Sequence, residues 1–255
     1  MSKNGKKLLW LLLALAAAVG LILCLYFLFR PKPAVELPTP PIPEVGSASE
    51  ESQTEHVEIP VDFPALQAEN PDIYAWIQIP GTEINYPILQ RFGDNDYYLR
   101  RDVEGNYSQA GTLFTQFQYN VTDFSDPVTV VYGHDMDDGS MFGSLQHYCS
   151  SLSLDDSPVF YIYQPGRRLT YQIFAAIPYD NSHILYYHNF HDEAVFEDFF
   201  ADIYGIRSLY ANVAPEDGPS PEDKVVILST CLEGDNTKRF LVMGVLTEDV
   251  ASVPS

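Results

Sequence analysis

The chain has 255 residues and is strongly acidic, with 35 Asp and Glu against 14 Lys and Arg and a formal net charge of −21. From residue 33 onward, nine basic residues face all 35 acidic ones, a balance of −26. Such a surface repels phosphate backbones, which excludes nucleic acid as a partner. Solubility accounts for the charge without any function for an acidic patch.

The first predicted element is an apolar segment, Leu8–Phe29, with 22 residues and no charge. At about 1.5 Å per residue it can cross a bilayer core of about 30 Å. A short basic N-terminus, residues 1–7, precedes it and favours a cytoplasmic N-terminus with the remainder exported. A cleaved signal peptide is the alternative, although the apolar part of a signal peptide is usually only about 7–15 residues long. We expect an uncleaved single-pass anchor in the cell membrane.

Residues 30–59 are predicted to be a linker. Pro31–Pro43 holds six prolines in thirteen residues, and Glu44–Glu58 is rich in Ser and Glu without an apolar pattern. These compositions are typical of an extended segment followed by a disordered one. The folded domain is therefore predicted over residues 60–250, a length that can bury a substantial core.

Short β-branched and aromatic runs, separated by turn residues, predict a mainly β domain built as an antiparallel barrel or a sandwich. There are eight such runs: Ala75–Ile79, Ile84–Leu89, Thr112–Phe117, Val128–Tyr132, Val159–Tyr163, Leu169–Ile177, Val225–Thr230 and Arg239–Leu246. Glu193–Tyr204 instead has helical periodicity, with Phe196, Phe199, Phe200 and Ile203 on one face. We expect this helix to precede the seventh strand, and a shorter helix around Met141–Tyr148.

Cys231 is a candidate nucleophile because it ends the apolar run VVILSTC. A buried inert thiol and a disulfide with Cys149 are the structural alternatives. Nucleophilic catalysis requires a base, and His134 is placed like the cysteine, directly after VTVVYG at the end of a buried strand. The intervening Gly133 can adopt an unusual backbone angle.

Arg239 is a candidate oxyanion donor. If the last two strands form a hairpin, the seven-residue segment LEGDNTK returns Arg239 to the side of Cys231. A guanidinium there can donate hydrogen bonds to a developing oxyanion. The alternative is an arginine that only offsets surface charge, which would suit Lys238 equally well, and strand alternation lets only one of the two face the site.

Other chemistries fit the sequence less well. The acidic run Asp135–Gly139 departs from the spacing of a calcium loop, and the late histidines lack the spacing of a zinc site. His134 precedes Cys231 by 97 residues, whereas papain-like enzymes place the cysteine first, and the caspase motif is absent.

The chain resembles the sortases, cysteine transpeptidases of Gram-positive cell envelopes, and most of all those of class B. The matching motifs occur in order between Asn70 and Leu246: NPDIYAWIQIPGTEINYPILQ, DNDYYL, VVYGHDMDDGSMFGSL, ILSTC and KRFLV. Ile227 stands where the cysteine motif of the family commonly has Thr. The helix before the seventh strand agrees with class B, since other classes usually have a loop there.

The resemblance implies an eight-stranded sortase-type β-barrel with N-terminal helices. It implies that Cys231 is the nucleophile, His134 its acid/base partner and Arg239 the oxyanion or substrate clamp, with no cofactor and no metal. Asn95, Tyr132 and Ser229 fall where family members line the substrate groove.

The implied partners are secreted proteins that carry a C-terminal sorting motif, and an amine of peptidoglycan precursor or of a pilin subunit. The catalytic domain would be extracellular. A membrane-tethered binding module that kept the barrel but lost turnover is the alternative.

Overall fold

The computed structural model describes residues 57–149, 158–208, 210–214, 218–232 and 234–252. All of them belong to the second of two compact units, Pro40–Ser255. The predicted N-terminal segment, the anchor Leu8–Phe29 and most of the linker lie outside the described residues. Over the ranges that are described, no helix is long and apolar enough to cross a membrane.

One β-sheet organises the domain, and its strands over the described residues are β1 Ile73–Gln78, β2 Asn85–Leu89, β3 Leu113–Phe114, β4 Val128–Tyr132, β5 Val159–Gln164, β6 Arg167–Tyr179, β7 Asn212–Val213, β8 Val225–Leu232 and β9 Asp235–Ala251. Eight of them follow one another in the order β5-β1-β2-β3-β4-β8-β9-β6, and β6 pairs back with β5. This closure confirms the barrel and excludes the sandwich. The two-residue β7 is additional and pairs with β6 outside the ring.

The sequence predicted antiparallel strands, but two of the neighbouring pairs in the ring are parallel. β2 runs parallel to β3, and β4 runs parallel to β8 with Val128 opposite Val225 and Tyr132 opposite Ser229. The other pairs of the ring are antiparallel. Because β4 and β8 run in the same direction, their C-terminal ends reach the same edge of the barrel.

Short helices flank the barrel: α1 Phe63–Glu69, α2 Ile184–Tyr187, α3 Glu193–Gly205 and the 3-10 helices Tyr97–Arg100 and Gly143–Cys149. Where N-terminal helices were expected, α1 is the one that precedes β1 within the described ranges. α3 is the helix predicted before the seventh predicted strand, which is β8 in the structure. Asp192 caps it, and the Asp192 carboxylate accepts the Ala194 N–H at 3.0 Å. The helix expected near Met141 is the 3-10 turn Gly143–Cys149.

Alternate residues of β8 pack into different cores. Val226 and Leu228 join the cluster in the barrel interior, whereas Val225 and Ile227 join a second cluster on the outer face. The predicted apolar face of α3 is buried in that second cluster, with Phe196, Phe199, Phe200 and Ile203 each at most 4% exposed. Both faces of β8 are therefore covered, which explains why its first four residues, Val225–Leu228, are all apolar.

Candidate active site

Three strand ends carry the candidate catalytic residues to one edge of the barrel. Tyr132 pairs with Ser229, and the Gly133 N–H donates to the Ser229 carbonyl at 3.1 Å. His134 and Cys231 each stand two residues beyond that pair, so the parallel pairing carries both to the same edge of the barrel. On the other flank of β8, Cys231 pairs directly with Arg239 of β9. The hairpin expected from the sequence is present, and it places Arg239 opposite Cys231, whereas the sequence left open whether Arg239 or Lys238 faces the site. Its strands extend to Leu232 and Asp235.

The thiol of Cys231 is half-buried and contacts the guanidinium. Arg239 Nη1 lies 3.7 Å from Cys231 Sγ, and the same nitrogen donates to the Lys238 carbonyl at 3.3 Å. Lys238 is exposed. Cys149 and Cys231, the two cysteines among the described residues, form no disulfide with each other.

The backbone of Cys231 is held from the 3-10 turn that follows β4. Gln146 Nε2 donates to the Cys231 carbonyl at 3.0 Å. This contact joins residues 85 positions apart and fixes the end of β8 beside the site.

His134 has one ring nitrogen engaged by the backbone. Its Nε2 lies 2.7 Å from the carbonyl oxygen of Leu99, in the 3-10 helix Tyr97–Arg100. A carbonyl only accepts, so Nε2 carries the proton, and Nδ1 is the basic nitrogen of the neutral ring. The imidazole thus keeps Nδ1 available for proton transfer.

Gly133 is required for close packing and not for an unusual backbone angle. The sequence suggested the latter, but Gly133 is absent from the positive-φ glycines of the described chain. A Cβ at this position would lie 2.5 Å from Leu113 Cδ2 and 2.6 Å from Phe142 Cδ2, well inside contact distance. The barrel packs against the backbone here, immediately before His134.

A cavity of about 370 Å³ opens at this edge. Its walls hold Cys231, His134 and Arg239 together with Asp96, Leu99, Phe114, Gln116, Tyr132, Gly133, Tyr179, Asn181, Ser182, His183, Ile184, Ser229 and Thr230. The nucleophile, the imidazole and the guanidinium therefore share one solvent-accessible groove.

Two of the three expected groove residues line this cavity. Tyr132 and Ser229 are on its wall. The Tyr132 hydroxyl is buried and has no hydrogen-bond partner among the described residues. Burial, and secondarily the charge of Asp96, raises the pKa of Tyr132 above its ordinary value.

Asn95 does not line the cavity, whereas its neighbour Asp96 does. The Asn95 side chain is turned to Gln118: it donates to Gln118 Oε1 at 2.8 Å and accepts the Gln118 N–H at 3.3 Å.

Further groove residues were not identified from the sequence. His183 Nε2 lies 2.7 Å from Gln116 Oε1, and Gln116 Nε2 donates to Asp96 Oδ1 at 3.2 Å. His183 is one of the late histidines, which the sequence analysis considered only as zinc ligands, and neither Gln116 nor Gln146 has a local sequence signal. Their contacts join distant segments, which a single sequence does not specify.

Comparison with known proteins finds relatives that match most of this domain. A family model of the sortase domain matches residues 77–247, which include all three strand ends. The sortase B of Listeria monocytogenes is 35% identical over 185 residues, which cover 71% of this chain and 72% of the relative.

Solved structures with the same fold come from the same class. Sortase B from B. anthracis is 28% identical, with a TM-score of 0.63 and coverage of 73% of this chain and 84% of the other. A class B sortase of Streptococcus pyogenes involved in pilus biogenesis is also 28% identical, with a TM-score of 0.61 and coverage of 73% and 98%.

Proposed function

The chain belongs to the sortase family, class B, whose members are cysteine transpeptidases, and we propose that it cleaves a C-terminal sorting motif of secreted proteins and transfers them to an amine. The observation that carries this proposal is the 3.7 Å contact between Arg239 and the Cys231 thiol in a groove that also holds His134. Nucleophile, acid/base group and cationic donor are the three parts that acyl transfer requires.

The first half-reaction forms a thioester. The Cys231 thiolate attacks the carbonyl carbon of the scissile peptide bond, and the carbonyl oxygen becomes an oxyanion that accepts hydrogen bonds from Arg239. The intermediate collapses as the C–N bond breaks, and protonated His134 donates its proton to the leaving amine. The C-terminal tail departs, and the rest of the substrate stays bound to Cys231 as a thioacyl group.

The second half-reaction restores the enzyme. An incoming amine attacks the thioester carbon, and Nδ1 of His134 takes a proton from its nitrogen. The C–S bond breaks, the thiolate leaves and a new amide joins the substrate to the acceptor. Arg239 donates hydrogen bonds to the oxyanion in both half-reactions, because each oxyanion forms on the oxygen of the same carbonyl group.

The residues expected along the substrate have unequal structural support. Tyr132 and Ser229 lie on the groove wall, where an extended peptide bound to Cys231 would contact them. Asn95 could reach the substrate only if its hydrogen bonds with Gln118 were exchanged. We assign it to the outer rim of the motif-binding surface.

We base the proposed acceptor and location on the family and on the N-terminal sequence. The acceptor amine would belong to peptidoglycan precursor or to a pilin lysine. The Streptococcus pyogenes relative is involved in pilus biogenesis, which supports keeping the pilin among the candidate acceptors. Leu8–Phe29 would anchor the enzyme, with residues 1–7 in the cytoplasm and the catalytic domain outside.

A peptide-cleavage assay separates this function from a binding module. The purified full-length protein is incubated with a panel of sorting-motif peptides and hydroxylamine, and hydroxamate products are followed by mass spectrometry. We expect cleavage by the wild type and none by Cys231→Ala. If peptides of the panel bound but none was cleaved in a reaction that requires Cys231, the protein would be a non-catalytic binding module.

A further inference from the structure

The flanks of the groove are joined by a side-chain link. In the order β3-β4-β8-β9-β6, the strands that carry the catalytic residues are the central three, and β3 and β6 lie on either side. Gln116 follows β3 and His183 follows β6. The 2.7 Å contact between His183 Nε2 and Gln116 Oε1 therefore connects the β3 side of the groove to the β6 side. The ends of β4, β8 and β9 lie between these two sides.

The hydrogen-bond pattern fixes the chemistry of this link. Asp96 Oδ1 can only accept, so the Gln116 amide presents its nitrogen to Asp96 and its oxygen to His183. His183 must then donate from Nε2, while its Nδ1 accepts the backbone N–H of Tyr186 at 3.0 Å. Both nitrogens are used by a single neutral tautomer, in a chain in which each donor meets an acceptor.

Packing holds the imidazole in this position. Its ring centroid lies 4.7 Å from that of Tyr119 and 6.3 Å from that of Tyr132. Gln116 is only 7% exposed, so its amide cannot exchange these partners for water without moving the wall. The same segment that carries His183 supplies Asn181, Ser182 and Ile184 to the groove.

We propose that neutral His183 is a positioning residue that ties the segment between β6 and α2 to Gln116 and Asp96 and thereby sets the width of the peptide groove. The inference rests on the proposed function, because the groove matters only if it binds the sorting motif. His183 affects the reaction only by holding the groove wall in place, and it takes no part in proton transfer. Breaking the link should weaken peptide binding and leave the chemistry at Cys231 intact.

Two variants remove the link from opposite ends. His183→Asn keeps a side-chain acceptor for the first turn of α2 but is too short to reach Gln116. Gln116→Leu removes the acceptor and preserves volume. Each should raise the KM for a cleaved peptide by about threefold to tenfold, the usual worth of one hydrogen bond, with little change in kcat. The double variant should equal the single ones, because both remove the same link.

The controls distinguish positioning from folding. His191→Asn changes an exposed histidine that does not line the groove, and it should have the wild-type KM. The rate of Cys231 alkylation by iodoacetamide should be the same in all variants, since that small reagent does not need the groove. Unchanged KM in both single variants, additive losses in the double variant, or parallel losses in alkylation would overturn the proposal.

Ring-nitrogen NMR tests the link apart from turnover. The 15N shifts of His183 in the full-length protein should show a protonated Nε2 and an unprotonated Nδ1, and Gln116→Leu should alter the Nε2 signal. If the wild type cleaves no peptide, the proposed function fails, and these shifts alone decide whether the link exists. A protonated Nδ1 would refute it.

Discussion

Arg239 and Lys238 are adjacent cations on β9 with different surroundings. Arg239 contacts the Cys231 thiol in the groove, whereas Lys238 is exposed and does not line it. A guanidinium presents a planar set of donors that an ammonium does not reproduce. Arg239→Lys should therefore lose about 10²–10³-fold in kcat, the usual effect of removing one oxyanion donor.

The matched variant is Lys238→Ala, for which we expect near wild-type turnover at saturating peptide. Melting temperatures of both variants serve as folding controls. If Lys238→Ala were the impaired variant, the hydrogen-bonding guanidinium would not be the group that stabilises the oxyanion.

Removal of the Tyr132 hydroxyl should leave stability unchanged or raise it, and should lower activity. Its buried hydroxyl has no partner among the described residues, and an unpaired buried hydroxyl costs about 1–3 kcal/mol of stability. Tyr132→Phe should therefore melt at the same temperature as the wild type or higher. If a substrate group pairs with this hydroxyl, kcat/KM should fall about tenfold, as expected for one hydrogen bond. A lower melting temperature with unchanged kcat/KM would show that the hydroxyl serves the fold.

At the scale of elements, the passage from β4 to His134 depends on Gly133. A Cβ would overlap the side chain of Leu113 in β3 and that of Phe142, which directly precedes the 3-10 turn Gly143–Cys149. Gly133→Ala should lower the melting temperature, because an overpacked core site costs about 1–3 kcal/mol. It should also reduce the kcat measured per folded molecule, since His134 is the next residue. Normal kcat in a destabilised Gly133→Ala enzyme would mean that His134 is positioned independently of β4.

The barrel strands were predictable from the sequence because each is a local pattern. Apolar runs between turn residues identified all eight strands of the ring, and the periodicity of Phe196, Phe199, Phe200 and Ile203 identified α3. β7 was missed because two residues, Asn212 and Val213, show no periodicity. The predicted third strand extends only over Leu113–Phe114, since the chain turns at Gln116, whose carbonyl accepts the N–H groups of Tyr119 and Asn120.

The candidate site was predictable only in part. Cys231, His134 and Arg239 each end or begin an apolar run, so their convergence followed from strand pairing. The contact between His183 and Gln116 joins residues 67 positions apart, and that between Gln146 and Cys231 joins residues 85 apart. Such contacts depend on how the barrel closes, which no local pattern of residues encodes.

At the scale of the whole molecule, the N-terminal sequence predicts an anchored enzyme that faces outward. Leu8–Phe29 is long enough to span a bilayer, and the acidic domain follows it. In cells expressing the full-length chain, we expect membrane fractionation and digestion of residues 60–250 by protease added to intact protoplasts. Release into the medium would show that the segment is a cleaved signal peptide, and protection from protease would reverse the orientation.

Detection of the thioacyl intermediate on Cys231 tests the proposed mechanism most directly. The full-length enzyme is mixed with a cleaved sorting-motif peptide, quenched in acid within the first turnover and measured by intact mass and peptide mapping. We expect an adduct equal in mass to the N-terminal fragment of the peptide, attached to Cys231 and removed by hydroxylamine. Peptide cleavage without an adduct on Cys231, or with the same adduct in Cys231→Ala, would contradict the proposed mechanism.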